Sequence, residues 1–240
     1  MKTLNKSIVH IEDLSLSYYE KPVIYDIDLD IYEGTVCAII VPNGAGKSTL
    51  IKGMLGFLKP LTGFTLFFDK SFKEVHDRIA YVPQWESVEW NFPITVKEVV
   101  MMSDTYRLPL FKRPDKLMKE KALSALKEMG LEEYSDVHIS QLSGGQKQRV
   151  FIARALNQQA DLYIMDEPFA GVDKKSESII VEQFKKLKNE NKTVLAVHHD
   201  MITLEDYFND IILLNNTIKG HGSYQNLFSD MTPLEWMKRQ

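Results

Sequence analysis

The chain has little of several features that would place it in a particular class. Its 240 residues include a single cysteine, which excludes a disulfide framework and fits a reducing compartment. No apolar run approaches the ~18 residues that a membrane-spanning helix needs. Glu12 and Asp13 interrupt the first apolar stretch, so no signal peptide is expected. Basic residues are not in surplus, and a net charge of −4 argues against nucleic acid bound through a basic surface.

What remains is an ordinary globular composition. Hydrophobic residues make up 44% of the chain and charged residues 26%, which excludes disordered and fibrous classes. Residues 8–33 are rich in predicted strands. Within them, the alternation from Ile24 to Ile31, with Ile24 grouped with the aspartates, predicts a half-exposed antiparallel sheet. Further apolar runs predict strands at residues 79–82, 162–165, 193–197 and 210–214. Helices are predicted at residues 95–102, 116–129 and 176–189, the last two from amphipathic patterns.

One stretch, residues 35–50, predicts a buried strand, a glycine loop and the start of a helix. In this order the loop's backbone N–H groups converge on an anion, and the helix N-terminus adds partial positive charge. Lys47 would reach the outer phosphates and the Ser48 hydroxyl would bind Mg²⁺. The pattern G-x-x-x-x-G-K-[ST] has glycine where this chain has Val41. A β-branched residue disfavours positive φ, so Val41 leaves open either a local backbone adjustment or weakened hydrolysis.

Two further segments carry candidate chemistry. The apolar run 162–165 is followed directly by Asp166 and Glu167. This order predicts that Asp166 is an Mg²⁺ ligand and that Glu167 is the base for the attacking water. An N-capping pair before the next helix is the alternative. Residues 142–146 read Leu-Ser-Gly-Gly-Gln before a helix, which predicts either a second anion cradle or a plain Ser143 N-cap. Two cradles far apart suggest that each serves a different nucleotide in a dimer.

The order and spacing of these segments resemble the ATP-binding subunit of an ABC transporter over nearly the whole chain. Residues 42–49 resemble the Walker A motif, residues 142–146 match the LSGGQ signature, and residues 162–167 resemble Walker B. The resemblance implies an α/β fold, a P-loop NTPase core of ABC type with an antiparallel β edge and a helical insertion subdomain. It also implies that the chain is an ATPase with ATP and Mg²⁺ as cofactors.

The resemblance assigns roles to individual residues. It implies that Gln84 is the Q-loop glutamine, that Tyr18 stacks on adenine with Tyr19 as a one-residue alternative, and that His199 contacts the γ-phosphate. Because neighbours on a strand face opposite ways, a metal pair of His198 and His199 is disfavoured. The implied catalytic residues are Lys47, Gln84, Glu167 and His199; the Mg²⁺ ligands are Ser48, Gln84 and Asp166; the ATP contacts are Tyr18, Val41, Pro42, Asn43, Gly44, Ala45, Gly46, Lys47, Ser48, Thr49, Ser143, Gly144, Gly145, Gln146 and Asp173.

Three segments also resemble the ATPases of manganese, zinc and iron importers: residues 90–100, 166–173 and 197–200. They hint at a divalent metal as the transported substrate. For Trp85, Trp90 and Phe92, core packing and a groove for a helix of the membrane subunit stay open as alternatives.

The expected architecture is one ABC ATPase domain over residues 1–240. Residues 1–84 and 159–240 would form the core with its antiparallel part, and residues 85–158 the helical subdomain. Two copies would pack head to tail as a homodimer at the cytoplasmic face of the membrane. They would drive a polytopic permease, which an extracellular solute-binding protein supplies. A soluble ABC protein acting on ribosomes or DNA, and a regulatory subunit that no longer hydrolyses, are the competing hypotheses.

Overall fold

The computed structural model describes residues 6–19, 21–42, 45–105, 108–109 and 112–238. The chain divides into two compact units, one formed by Met1–His76 with Leu187–Gln240 and the other by Asp77–Lys186. Among the described residues, no helix combines the length and the apolar character required to cross a bilayer.

The first unit begins with a three-stranded antiparallel sheet. Its order is β2-β1-β4, with β1 at Ser7–Leu16, β2 at Ile24–Tyr32 and β4 at Thr62–Phe67. The predicted alternation of β2 is wrong at its start: Ile24 is buried and Tyr25 is exposed. The reason is a bulge, because Asp26 has φ 51° and the pairing with β1 shifts beside it. One extra residue reverses which side chains face inward.

The first unit also contains four strands in the order β7-β3-β8-β9. β3 (Val36–Ile40) lies parallel between β7 (Thr193–His198) and β8 (Asp210–Asn215), while β9 (Thr217–Gly222) is antiparallel to β8. All five residues of β3 are buried, which explains why its sequence shows no alternation. The unit's helices are α1 (Lys47–Met54), α2 (Phe72–Val75), α7 (Leu204–Tyr207), α8 (Tyr224–Leu227) and α9 (Pro233–Lys238).

The second unit is mostly helical around two short parallel strands. β5 (Ile79–Val82) pairs with β6 (Leu162–Met165), with Val82 opposite Met165. The helices are α3 (Val96–Thr105), α4 (Lys116–Glu128), α5 (Gly144–Gln158) and α6 (Lys174–Asn189), which ends just past the boundary of the unit. Short 3₁₀ turns lie at Trp85–Ser87, Glu132–Tyr134 and Ile139–Gln141.

Local sequence signals set the ends of these helices. Thr95 and Glu98, three residues apart, predict a capping box at the start of α3, and it forms: the Thr95 N–H donates to Glu98 Oε2 at 2.8 Å, and the Glu98 N–H donates to Thr95 Oγ1 at 3.3 Å. At the end of α4, Gly130 takes φ 64°, the left-handed conformation that closes many helices.

Candidate functional site

The nucleotide loop lies in the first unit, between the end of β3 and the start of α1. Gly46 caps α1 with φ 99°, and a Cβ there would lie 2.7 Å from Ile24 Cγ1, so both conformation and space require glycine. The helix begins at Lys47, which places Lys47 and Ser48 in its first turn. Asn43 and Gly44 lie outside the described residues. The described part of the loop thus has the strand, turn and helix start that an anion cradle needs.

Val41 occupies the position where the motif usually has glycine. The described non-glycine residues with positive φ do not include Val41, so a valine is not strained there. Its side chain is 5% exposed and therefore contributes to the core. The backbone at residue 41 has no need of glycine, which supports the interpretation of a harmless local difference.

A Val41→Gly variant tests this interpretation. We expect unchanged ATP affinity and turnover, because residue 41 already has a conformation open to any residue. We expect a loss of about 2 kcal/mol in the free energy of unfolding, since a buried valine side chain is removed. Urea unfolding and a steady-state ATPase assay measure the two effects. A marked gain in turnover would show instead that valine impairs the loop.

His199 follows β7 directly. Ile40 and His198 are paired in the β3–β7 ladder, so His199 leaves the sheet at the same edge as the nucleotide loop. His198 is buried, with Nε2 2.9 Å from Thr203 Oγ1, whereas His199 is exposed. The two rings therefore have different environments, as their alternation on the strand predicts. This arrangement supports a nucleotide-facing role for His199 and a packing role for His198.

The sequence from Leu14 to Tyr19 predicts a strand, but β1 ends at Leu16, and Tyr18 and Tyr19 lie beyond it in a bend. Tyr18 is 47% exposed, and Lys52 Nζ from α1 lies 5.8 Å from the centroid of its ring. Tyr19 is 91% exposed. Tyr18 thus lies beside the helix that follows the nucleotide loop, with part of its ring available to a ligand.

The carboxylates lie in the second unit, where β5 and β6 end side by side. Gln84 Nε2 donates to Glu167 Oε2 at 3.3 Å, and it lies equally far from Oε2 of the exposed Glu86. Glu167 is buried and takes φ 50°, a conformation rare for a residue with a long side chain. Backbone strain of this kind concentrates at functional sites. The structure thus brings the predicted base and the predicted Q-loop glutamine together.

Asp166 precedes Glu167 and is also buried; its N–H donates to the carbonyl of Val82 at 2.8 Å. Burial and then the charge of Asp166 raise the pKa of Tyr81 to about 12, so the phenol stays protonated beside the carboxylate. The predicted Mg²⁺ ligands are the Ser48 hydroxyl, the Asp166 carboxylate and the Gln84 amide. All three supply the hard oxygen atoms that Mg²⁺ prefers, so the donor set fits this ion.

The signature residues begin α5. Ser143 Oγ accepts from the Gln146 N–H at 3.3 Å, and Gln146 Oε1 accepts from the Ser143 N–H at 2.9 Å, which is a complete capping box. The N-cap interpretation is therefore correct in geometry, and the second anion cradle stays a prediction. A Cβ on Gly144 would lie 2.6 Å from Cζ2 of Trp85, and one on Gly145 would lie 2.9 Å from the carbonyl oxygen of Gly171.

Asp173 lies at the start of α6. Its Oδ1 accepts from the Ser176 N–H at 2.7 Å, and this bond, helped by Arg149, holds the pKa of the Asp173 carboxyl below its usual range. Arg149 Nη1 donates to the carbonyl of Met129 at 2.8 Å. The segment with Gly171 and Asp173 and the signature helix thus form one packed arrangement within the second unit.

Sequence reasoning missed two features of the site. The strained φ of Glu167 leaves no mark in a sequence. Trp85 was left open between core packing and a partner groove, yet its indole packs on Gly144 and its backbone N–H donates to Oε1 of the buried Gln148 at 3.2 Å. The signal that could have revealed the contact with Gly144 is the pair of adjacent glycines, which leaves room for one large ring.

A P-loop strand and helix, a carboxylate pair at a strand end and a signature helix that Ser143 caps before two glycines define an ATP-binding cassette. A family model described as ABC transporter matches residues 24–170. The chain belongs to the ABC transporter family and is an ATPase of that family. The resemblance and the fold class predicted from the sequence are therefore confirmed.

Similar proteins and structures agree with this family. The zinc transport system ATP-binding protein TroB of Treponema pallidum is 47% identical, over 92% of this chain and 84% of that protein. The manganese transport system ATP-binding protein MntB of Bacillus subtilis is 48% identical, over 92% and 88%. A solved nucleotide-free ATP-binding cassette from an ABC transporter has a TM-score of 0.81 at 27% identity, over 94% and 96%. ABC ATPase subunits of transporters bind ATP and work as dimers with a membrane permease.

Proposed function

We propose that this ATPase powers the import of a divalent metal ion, Mn²⁺, Zn²⁺ or Fe²⁺, through a membrane permease. The observation that carries the ATPase chemistry is the buried Glu167, held by Gln84 at the ends of β5 and β6. The observation that carries the substrate is the similarity, at 47–48% identity, to relatives named for zinc and manganese transport. Nothing observed favours a regulatory protein with weakened hydrolysis, because Val41 is unstrained.

In this proposal two copies form a homodimer with composite sites. Each ATP lies between the Lys47 loop of one copy and residues 143–145 of the other, with Asp173 at the dimer contact. What supports this is that the two cradles belong to separate helix N-termini, those of α1 and α5. Adenine stacks on Tyr18, whose ring is partly exposed beside α1.

Catalysis then consists of positioning and charge neutralisation. Lys47 and His199 bind the outer phosphates, and Glu167 accepts a proton from the attacking water. Gln84 orients Glu167 through its hydrogen bond. Ser48, Asp166 and Gln84 would hold Mg²⁺, which supplies positive charge against the phosphate oxygens when bound.

The remaining assignments concern the membrane partner. The helices between residues 85 and 158 form the insertion that passes motion to the permease at the cytoplasmic face, and an extracellular binding protein delivers the metal. Phe92 is exposed, and Trp90, which precedes it in the chain, donates from its indole Nε1 to the carbonyl of Trp85 at 2.7 Å. That supports a surface through which a bound helix of the permease could act on the Q-loop region.

Deletion of the gene tests the transport function. We expect cellular manganese, zinc or iron, measured by mass spectrometry, to fall in metal-poor medium, and wild-type chain to restore it. A Lys47→Ala chain serves as the inactive control and should not restore it. Unchanged metal content, with a polytopic membrane protein still co-purifying, would assign the permease another substrate. Failure of any such protein to co-purify would favour a soluble ABC protein.

The adenine contact is tested by comparing neighbouring tyrosines. We expect Tyr18→Ala to weaken ATP binding by about 10-fold, because stacking on a base is worth ~1–3 kcal/mol. Tyr19→Ala is the matched control and should bind ATP like the wild type. Fluorescent-nucleotide titration measures both. If Tyr19→Ala alone weakens binding, the adenine lies on Tyr19.

A further inference from the structure

A group of metal-ligating side chains lies in the first unit and has no part in the proposed ATPase chemistry. It consists of the Cys37 thiol, the Asp210 carboxylate and the His221 imidazole, whose ligand atoms all lie within 4.8 Å of one another. His221 Nε2 and Asp210 Oδ2 are 2.8 Å apart. Cys37 is completely buried, whereas the His221 side chain is partly exposed.

Strand pairing brings these residues together. Cys37 on β3 is paired with Asp210 at the start of β8, and His221 on β9 is paired with Ile212 of β8. Three neighbouring strands therefore each supply one ligand. Strands position a site more precisely than loops do. Cys37 lies near the amino end of β3, about 13 Å of strand before Val41 and the nucleotide loop.

We propose that Cys37, Asp210 and His221 bind one Zn²⁺ ion. A thiolate, an imidazole and a carboxylate are the three ligand types that zinc uses, and three protein ligands leave a fourth position for water. Mn²⁺ prefers oxygen donors, so the sulfur ligand selects against it. Zinc bonds of about 2.0–2.3 Å place neighbouring ligand atoms about 3–4 Å apart. The imidazole and the carboxylate, now 2.8 Å apart, would separate slightly, and any ligand atoms near the 4.8 Å limit would move closer.

Zinc binds the thiolate form of cysteine, so the proton of the Cys37 thiol leaves to solvent as the sulfur–zinc bond forms. The charged and titratable neighbours are Asp210 and His221 in the site and Asp30, whose carboxylate interacts with His221 and pairs with His10.

This ion is distinct from both the Mg²⁺ of the nucleotide and the transported metal, and the proposal goes beyond ATP-driven transport. An ion at this point would fasten the outer strand β9 to β8 and to β3, the strand that leads into the nucleotide loop. Without a metal, hydrogen bonds among the His221 imidazole, the Asp210 carboxylate and the buried thiol would also provide each of the three groups with a partner. The sulfur is therefore the ligand that an experiment must detect.

Cobalt substitution in the purified full-length chain, stripped of metal and free of nucleotide, tests the site. We expect one Co²⁺ per chain, a sulfur-to-cobalt charge-transfer band in the near ultraviolet, and displacement of Co²⁺ by Zn²⁺. His221→Gln leaves the core intact and should weaken zinc affinity by at least about 100-fold, because changes behind a ligand already cost about 10–100-fold. Cys37→Ser should remove the band.

His10→Gln is the matched control, because His10 also faces carboxylates, with Nδ1 3.0 Å from Asp30 Oδ1. It should keep the band and the zinc affinity. Absence of the sulfur band, affinity unaffected by His221→Gln, or binding lost in His10→Gln but retained in Cys37→Ser would each overturn the proposal. Since the readouts are spectra and stoichiometry, they are independent of whether the chain hydrolyses ATP or imports a metal.

Discussion

Replacing Glu167 with glutamine should lower the rate of ATP hydrolysis by about 10²–10⁴-fold, the usual contribution of a general base. Glutamine has nearly the same shape and can still contact Gln84, but its amide cannot accept a proton from water. ATP binding should persist, and the variant should accumulate as an ATP-bound dimer. Phosphate release measures the first effect, and light scattering during size-exclusion chromatography with ATP measures the second.

Glu86→Gln is the matched control for this change. Glu86 Oε2 lies 3.3 Å from the same Gln84 Nε2 that contacts Glu167, but Glu86 is exposed. We expect Glu86→Gln to keep the wild-type turnover, because Glu86 lies in an exposed 3₁₀ turn and not at the buried strand end where the attacking water is proposed to bind. Unimpaired hydrolysis in Glu167→Gln would remove Glu167 from the role of base, and a loss confined to Glu86→Gln would transfer that role.

Motifs with strict chemical requirements could be predicted from the sequence. Four features follow from residue type and spacing: the buried strand β3, the helix begun by Lys47, the Thr95–Glu98 capping box, and the strand β6, which ends directly before Asp166. Each of these features is local. The apolar run and the capping residues that determine it lie within one or two turns of chain.

Features that depend on distant partners could not be predicted. The sequence of β9, Thr-Ile-Lys-Gly-His-Gly, contains two glycines and no run of alternating apolar residues, so it does not predict a strand. The strand forms because it pairs with β8. The burial of Ile24 depends on a bulge at Asp26 that the alternation conceals. The limits of the helical insertion at residues 85–158 stay a prediction, as do the roles of the individual site residues.

Replacing Gly145 with alanine adds one methyl group to the LSGGQ signature, residues 142–146, and should lower the rate of ATP hydrolysis. In Gly145→Ala the new Cβ would lie 2.9 Å from the Gly171 carbonyl oxygen and 3.2 Å from Val172 Cα. Both are backbone atoms, so the start of α5 and the segment leading to Asp173 must separate. Displacement of positioning groups by about 1 Å costs about 100-fold in rate, and we expect turnover to fall by that factor. Overpacking should also cost about 1–3 kcal/mol of stability.

Gly220→Ala separates this effect from a general glycine effect. Its Cβ would also meet an atom at 2.9 Å, but that atom is Leu227 Cδ2, the end of a flexible side chain in another part of the fold. Turnover should stay at the wild-type level in this control. In Gly145→Ala, ATP binding by the Lys47 loop should also persist, which distinguishes a displaced signature from an unfolded chain. If Gly145→Ala hydrolyses ATP normally, the close packing of the signature on residues 171–172 is not needed for catalysis, and the signature acts through the start of α5 alone.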